Sequence, residues 1–259
     1  MSVADGWRAR IGVIYPASGL ADMEYYRLCP PGVSVHVTRS SVSNAGGATL
    51  EDVTQLASEE SLGALAADLA TTRPSAVAWM CTSGSFSRGR EWDAGMRSTL
   101  SVRAGCPATT TSEAMVVALS AVGVKRVAVA APYGSEVVER LVAYLTGSGF
   151  NVVSLALLGL EHDLDITALS PNELAKLVRD ADHPQAEAVF VSCTSIVLSP
   201  FAAALTNDAG KPVFSANMAT MWHALRLAGV GGPLPAFGAL GGLCLEVAGI
   251  RQVAESVSA

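Results

Sequence analysis

The stretches Ala76–Ser83 (AVAWMCTS) and Ala188–Ser195 (AVFVSCTS) decide the fold. Each is a short apolar run that stops at the same tripeptide, Cys-Thr-Ser, and they lie a little under half of the 259-residue chain apart. Runs of this length, rich in Ala and Val, read as strands buried on both faces. Their repetition points to two copies of one unit. In open parallel sheets ligands bind at the carboxyl ends of the strands. Each copy is therefore expected to present a thiol and two hydroxyls at such an end.

The repetition extends outward from these runs. Ile11–Pro16 (IGVIYP) corresponds to Val127–Pro132 (VAVAAP). Gly105-Cys106-Pro107 corresponds to Gly210-Lys211-Pro212, each opening a short strand that runs into a helix, Ser112–Val122 or Asn217–Ala228. The order is kept with small insertions, which indicates a duplicated domain and not a solenoid. Between these points apolar runs alternate with amphipathic segments, the α/β pattern. The strands are expected at Arg10–Tyr15, Val33–Thr38, Ala76–Met80, Ala108–Thr110, Arg126–Ala130, Asn151–Ala156, Ala188–Val191 and Val213–Ser215. Further helices are expected at Thr49–Thr71, Arg90–Ser101, Ser135–Ser148, Ser170–Asp180 and Ser199–Asp208. The expected architecture is α/β, with two similar pseudo-symmetric lobes, each a short parallel sheet flanked by helices (flavodoxin-like), and the active site in the cleft between them. Residues 1–111 with 223–259 would form the first lobe and 112–222 the second, the last helix of each half crossing to the other lobe.

Composition excludes several classes of function. Half the residues are apolar, enough for a substantial core, and the mean hydropathy is +0.38. The net charge is −6, aromatics make up 6%, and no basic run is present, which argues against nucleic acid or an anionic membrane surface as partner. A small anion remains compatible, because backbone dipoles bind anions locally. No apolar stretch approaches the roughly 18 residues of a spanning helix. The longest, Met115 to Val124, is closed by Lys125-Arg126, and Tyr15 and Pro16 interrupt the N-terminal run that a signal peptide would need. A cytoplasmic location is expected. The five cysteines lack CxxC spacing, so neither a disulfide framework nor a zinc site is expected. Cys29, Cys106 and Cys244 read as small buried hydrophobes. His36, His162, His183 and His223 are scattered without a metal motif, and Gly238, Gly241 and Gly242 do not follow a strand as GxGxxG. No P-loop or GxSxG elbow is present. No metal and no cofactor is expected. Arg88 and Arg90 read as a solvated helix start.

A strand that ends at Cys and turns towards a helix leaves amide N–H groups pointing outward, which favours anions and lowers a thiol's pKa. Thr82 and Ser83 add hydroxyls beside Cys81, and Thr194 and Ser195 add them beside Cys193. Two thiols facing each other across a bound carboxylate can take a proton from one face of a carbon and return one to the other. One thiolate can instead add to an activated double bond. The flanking donors would stabilise the developing anion.

This arrangement resembles the aspartate/glutamate racemase superfamily, in the branch holding maleate cis-trans isomerases and arylmalonate decarboxylases. The resemblance is carried by Ile11–Gly19 (IGVIYPASG), Met80–Gly89 (MCTSGSFSRG), Val127–Leu141 (VAVAAPYGSEVVERL), Ser192–Thr194 (SCT) and Val213–Arg226 (VFSANMATMWHALR). It implies that Cys81 is the nucleophile or the base on one face, and Cys193 the acid/base on the other. In arylmalonate decarboxylases, it implies, only the second cysteine is kept, as the proton donor to the enediolate. Their hydroxyl donors fall on Thr82, Ser83 and Tyr133. Pro16, Ser18, Thr194 and Asn217 complete the candidate substrate-binding set, Asn217 as a carboxylate donor. Two departures stand out. Maleate isomerases resemble PSSN at the first strand end, where the Asn helps hold a carboxylate; here Pro16-Ala17-Ser18-Gly19 ends in Gly. The flanking SGSFSRG is closer to the decarboxylases, yet Cys81 stands where they have Gly.

The expected function is a cofactor-independent isomerase or racemase acting on a small carboxylate or dicarboxylate through Cys81 and Cys193. The alternatives are an arylmalonate-type decarboxylase with Cys193 as proton donor and a non-catalytic carboxylate-binding protein. A redox pair is the weakest alternative, since no CxxC is present. Tyr15, Met80, Val42 and Leu158 are expected to set the pocket's size. A homo-oligomer is compatible with the sequence.

Overall fold

The computed structural model describes residues 5–41 and 46–243; Val42, Cys244 and the tail after Gly249 lie outside them. The first half runs β1 (Ala9–Pro16), α1 (Asp22–Leu28), β2 (Val33–Ser40), α2 (Leu50–Leu56), α3 (Glu59–Ala70), β3 (Ala76–Trp79), α4 (Thr82–Ser87), α5 (Arg90–Ala104), β4 (Ala108–Thr110) and α6 (Thr111–Ala121). The second runs β5 (Arg126–Ala131), α7 (Ser135–Gly147), β6 (Asn151–Leu157), α8 (Asp163–Thr167), α9 (Pro171–Ala181), β7 (Ala188–Val191), α10 (Ala202–Ala209), β8 (Val213–Ser215) and α11 (Ala216–Leu227). A 3₁₀ helix, Pro235–Leu240, follows.

The strands form two four-stranded sheets of one topology, β2-β1-β3-β4 and β6-β5-β7-β8. Every pair is parallel. The registers match as well: Ile11 lies opposite Ala76 in the first sheet, and Val127 opposite Ala188 in the second. The β3 and β7 strands are buried along their whole length, which is why their sequences are continuous apolar runs. The edge strand β2 is only partly covered; it alternates Val with Ser, His, Thr and Arg, polar residues that blunt an open edge.

The helix expected over 49–71 is two helices. Thr49 caps α2 in a capping box with Asp52, and the Ser58 hydroxyl accepts from the Ser61 N–H at 3.3 Å to start α3. A serine inside an amphipathic run offers the backbone this competing bond, and here the bond wins. The short helices α1 and α8 lie outside the expected set, whereas α4 is the helix that follows the Cys81 strand end.

The outer face of the first sheet packs Ile14, Val77 and Trp79 against Leu62, Leu69, Met96 and Leu100 of α3 and α5. Its inner face belongs to a core continuous with the second half. Helix α11 makes the join. It packs on α6 and on β3 and β4 of the first sheet, although it follows β8 of the second. Every residue from Ala216 to Arg226 is buried, as required of a helix enclosed on all sides. Trp222 and Met221 are fully buried there, each worth about 1.5–3 kcal/mol of apolar transfer. On the other side of the junction, the Tyr144 hydroxyl of α7 donates to buried Asp93 of α5 at 2.8 Å. Among the described residues no helix is long and apolar enough to cross a membrane.

Candidate active site

The carboxyl ends of β3 and β7 carry the two cysteines. Cys81 is buried and caps α4 with an extended backbone, φ −147°. The Gly84 N–H and the Ser83 hydroxyl lie near its sulfur and favour its thiolate against burial. Gly84 is needed for that approach: a Cβ there would stand 2.8 Å from Cys81 Sγ and 2.9 Å from Cζ2 of Trp79. Thr82 is buried, and its hydroxyl has no hydrogen-bond partner among the described residues. That donor is free for a ligand, and an empty bond of this kind costs stability unless something fills it.

Cys193 is equally buried but sits differently. Its φ is +119°, a conformation that costs a non-glycine residue about 1–3 kcal/mol and is retained where function needs it. No helix follows it directly; α10 begins only at Ala202. The Ser195 N–H donates to Cys193 Sγ at 3.4 Å, and the Tyr133 and Ser195 hydroxyls lie near enough to favour its thiolate. Tyr133 is itself buried against Phe86 of α4, edge to face at 6.4 Å.

The two strand ends are stitched together. The Thr194 hydroxyl donates to the Met80 carbonyl at 3.3 Å, and the Tyr15 hydroxyl donates to the Thr194 carbonyl at 3.0 Å. Asn217 is fully buried, and its side-chain amide donates to the Thr194 and Ile196 carbonyls, each at 3.1 Å, and to Glu24 at 2.6 Å. Those bonds place Asn217 behind the Cys193 turn as its anchor. Glu24 is also fully buried and accepts from the Leu198 and Ser199 N–H groups at 2.9 and 2.7 Å. Burial raises its pKa against those bonds. Glu24 lies on α1 far from the loop it holds, and nothing in its local sequence marks it.

At the end of β1, Pro16 is buried, and its carbonyl accepts from Arg39 at 3.2 Å. Arg39 also bonds the Gly19 carbonyl, pairs with Asp22 and lies over the Tyr15 ring at 5.1 Å. A Cβ at Gly19 would run into the Tyr15 ring. With Tyr15 so placed, an asparagine at position 19 has no room, which accounts for that departure from the maleate isomerase pattern. Ser18 donates its hydroxyl to Asp163, and the Ser195 hydroxyl donates to the other oxygen of Asp163 at 3.3 Å. Asp163 was missed because only the fold brings α8 between these two turns.

Burial pushes both thiols up, Cys81 to about 12 and Cys193 to about 11. The charge on Asp163 raises both further, and Cys193 adds to the rise at Cys81, so all three groups share one electrostatic neighbourhood. The Tyr133 and Ser195 bonds pull Cys193 back. Both sulfurs therefore rest as thiols near neutral pH.

Other residues fall outside this group. Arg88 is exposed and stacks over Trp92 at 5.5 Å, and Arg90 bonds the Gly147 carbonyl. His223 contacts Thr109 at 2.9 Å, and burial lowers it to about 4. Cys29 and Cys106 are half-buried against the core, not enclosed as expected, because each lies in the segment that leads from a helix to the next strand. Tyr15 and Met80 are fully buried, whereas Leu158 is exposed.

Comparison with known proteins follows the same lines. The family described as arylmalonate decarboxylase matches residues 15–240. Arylmalonate decarboxylase of Bordetella bronchiseptica is 30% identical over 235 residues, covering 88% of this chain and 94% of that protein. A crystal structure of arylmalonate decarboxylase in the liganded form, carrying a Gly-to-Cys and a Cys-to-Ser substitution, superposes with a TM-score of 0.81 at 29% identity, covering 90% of this chain and 98% of that one. The Nocardia farcinica maleate cis-trans isomerase, solved as a Cys-to-Ser mutant with a covalently bound succinylcysteine intermediate, shares the fold with a TM-score of 0.82 at 20% identity, covering 90% and 97%.

Proposed function

The chain belongs to the arylmalonate decarboxylase family, and on that footing we propose that it is a cofactor-independent isomerase or racemase of a small carboxylic acid, worked by Cys81 and Cys193. The observation that carries this is the pair of buried thiols at equivalent strand ends, which the Thr194 bond to the Met80 carbonyl ties together.

The substrate carboxylate takes the free Thr82 hydroxyl and lies between the sulfurs. Forming a Cys193 thiolate near pH 7 from a pKa of about 11 costs about 5 kcal/mol. The Tyr133 and Ser195 donors offset part of the penalty that burial imposes. That thiolate removes the proton from the carbon next to the carboxylate, leaving an enediolate. The Cys81 thiol delivers its own proton to the opposite face. Cys193 then holds the abstracted proton and Cys81 is the thiolate, ready for the reverse direction. With an unsaturated diacid, the thiolate instead adds to the double bond, the new single bond rotates, and elimination returns the thiolate.

A second reading is decarboxylation of a disubstituted malonate. It is favoured by the family match over residues 15–240 and by thiols that rest protonated, the form a proton donor needs. Cys193 would then protonate the enediolate left by loss of carbon dioxide, and Cys81 would be dispensable. A panel of maleate-like, α-substituted and arylmalonate acids in deuterium oxide separates the readings. Exchange at the α-carbon, or cis-trans conversion, that is lost in both Cys81→Gly and Cys193→Ala supports the two-thiol reading. Full turnover in Cys81→Gly rules it out. Uniformly slow iodoacetamide labelling of every cysteine, unaffected by any acid, would instead indicate a binding protein.

A further inference from the structure

The two Cys-Thr-Ser turns are held from behind in different ways. Behind Cys81 stands Ser112, the second residue of α6, whose hydroxyl lies 2.6 Å from the Ser85 hydroxyl and 3.5 Å from the Thr82 carbonyl. Neutral groups make that clasp. Asn217, the second residue of α11, takes the equivalent place behind Cys193. Its side-chain nitrogen donates to the Thr194 carbonyl, the Ile196 carbonyl and Glu24, while its own oxygen, buried, has no hydrogen-bond partner among the described residues. A buried amide that forgoes an acceptor bond needs a reason to face this way. Glu24 supplies it. Fully buried on α1, it accepts from the Leu198 and Ser199 N–H groups on one oxygen and from Asn217 on the other. Each of these partners is an N–H donor, and a carboxylate is the side chain that accepts on both oxygens without offering a hydrogen. Such bonds favour the ionised form against the burial that opposes it.

We propose that Glu24 is a positioning residue for Cys193: its buried negative charge turns the Asn217 nitrogen towards the Thr194 and Ile196 carbonyls and so fixes the turn that aims the sulfur. This rests on the reading of Cys193 as a reacting group. The turn needs such a hold, because Cys193 keeps a φ of +119° and α10 begins only at Ala202. The hold comes from the other half of the chain, where Tyr15 adds to it: its hydroxyl accepts from the Ala21 N–H at 3.3 Å and donates to the Thr194 carbonyl. A neutral amide at position 24 cannot take over. With its oxygen towards Leu198 and Ser199, its nitrogen faces the Asn217 nitrogen, and Asn217 must flip and set its oxygen against two carbonyls. With its oxygen towards Asn217, its nitrogen faces two N–H groups. Either way one side of the turn comes loose.

The test begins on the native protein with hydrogen exchange. The Leu198 and Ser199 amides lie outside any helix, yet each should be protected at least about 10²-fold relative to the unfolded chain. Glu24→Gln keeps the volume and removes the charge, and that protection should fall at least about tenfold. With maleate, mandelate or phenylmalonate as substrate, kcat and kcat/KM of the variant should fall together, about 10²-fold, the scale of a misplaced reacting group. KM should stay unchanged, because the Thr82 donor lies in the other turn. Iodoacetamide should label Cys193 at least about tenfold faster as the released sulfur gains exposure, with Cys81 labelling unchanged. Asn217→Ala cuts the link but keeps the two N–H bonds to Glu24, and it should reproduce both the kcat loss and the selective labelling. Native amides at 198 and 199 that exchange as an open loop overturn the proposal, even if neither variant folds. So does a variant with native kcat, or one in which both cysteines label faster alike, which would make Glu24 a general brace of the fold. If Cys193→Ala keeps full turnover, the reading of Cys193 fails, whereas exchange and labelling still decide whether Glu24 holds the turn.

Discussion

Cys-Thr-Ser ends two strands of this molecule and is folded in two ways. At Cys81 the chain passes straight into α4 with an unstrained, extended cap, and Gly84 leaves room for the sulfur. At Cys193 the backbone is turned to φ +119°, no helix takes over, and the sulfur depends on Tyr133 and Ser195 in front and on Asn217 and Glu24 behind. Burial raises both thiols, Cys81 to about 12 and Cys193 to about 11. Duplication placed two thiols in equivalent positions, and the surroundings then made them unequal. One is a buried thiol at a helix start, and the other is a buried thiol in a strained turn.

The sharpest way to break this comparison is to remove each sulfur in turn. Cys193→Ala should lower turnover at least about 10³-fold under every enzymatic reading, since no other group replaces it; steady-state rates that fall less than tenfold would make the two turns interchangeable. Cys81→Gly should lower isomerisation or racemisation about 10²-fold, the scale of one acid–base partner, and leave any release of carbon dioxide intact. Gly84→Ala tests the first turn alone. Its Cβ would crowd Cys81 Sγ, so turnover should fall about tenfold, with about 1–3 kcal/mol of destabilisation in urea, and Cys193 labelling should be unchanged.

Two smaller effects sharpen the second turn. Tyr133→Phe removes a donor that favours the Cys193 thiolate, so the midpoint of its labelling against pH should rise from about 11 towards the value at Cys81. Below that midpoint labelling should slow by up to about tenfold, one pKa unit. The same shifts carry a sign for stability. Both folded thiols keep their protons above the ordinary value of 9.0, so their contribution is complete below pH 9 and is lost as pH rises through 11 and 12. Cys193→Gly should raise stability by about 1 kcal/mol while abolishing turnover, because glycine takes the positive φ without strain.

The fold was legible because its strands are interior. The runs of β3 and β7 are apolar on both faces, and that pattern survives any detail of packing. What escaped was local competition and distant company. Ser58 breaks one expected helix by a single cap bond. Thr194 and Asn217 look like ligand donors in sequence, yet their bonds run to Met80, Ile196 and Glu24, partners that only the closed fold supplies. Asp163 sits in a segment without periodicity and gains its meaning from Ser18 and Ser195, each contributed by a different turn.

The placement of α11 bears on the order in which the chain can assemble. A ribosome releases the first sheet long before it releases the helix that covers β3 and β4. Until about residue 227 has emerged, the inner face of that sheet has no lid of its own and must wait, exposed or guarded by chaperones, for a partner encoded near the other end. Stalled nascent chains should therefore stay protease-sensitive through the first half and gain resistance in one late step, as expected of a topology dominated by long-range contacts.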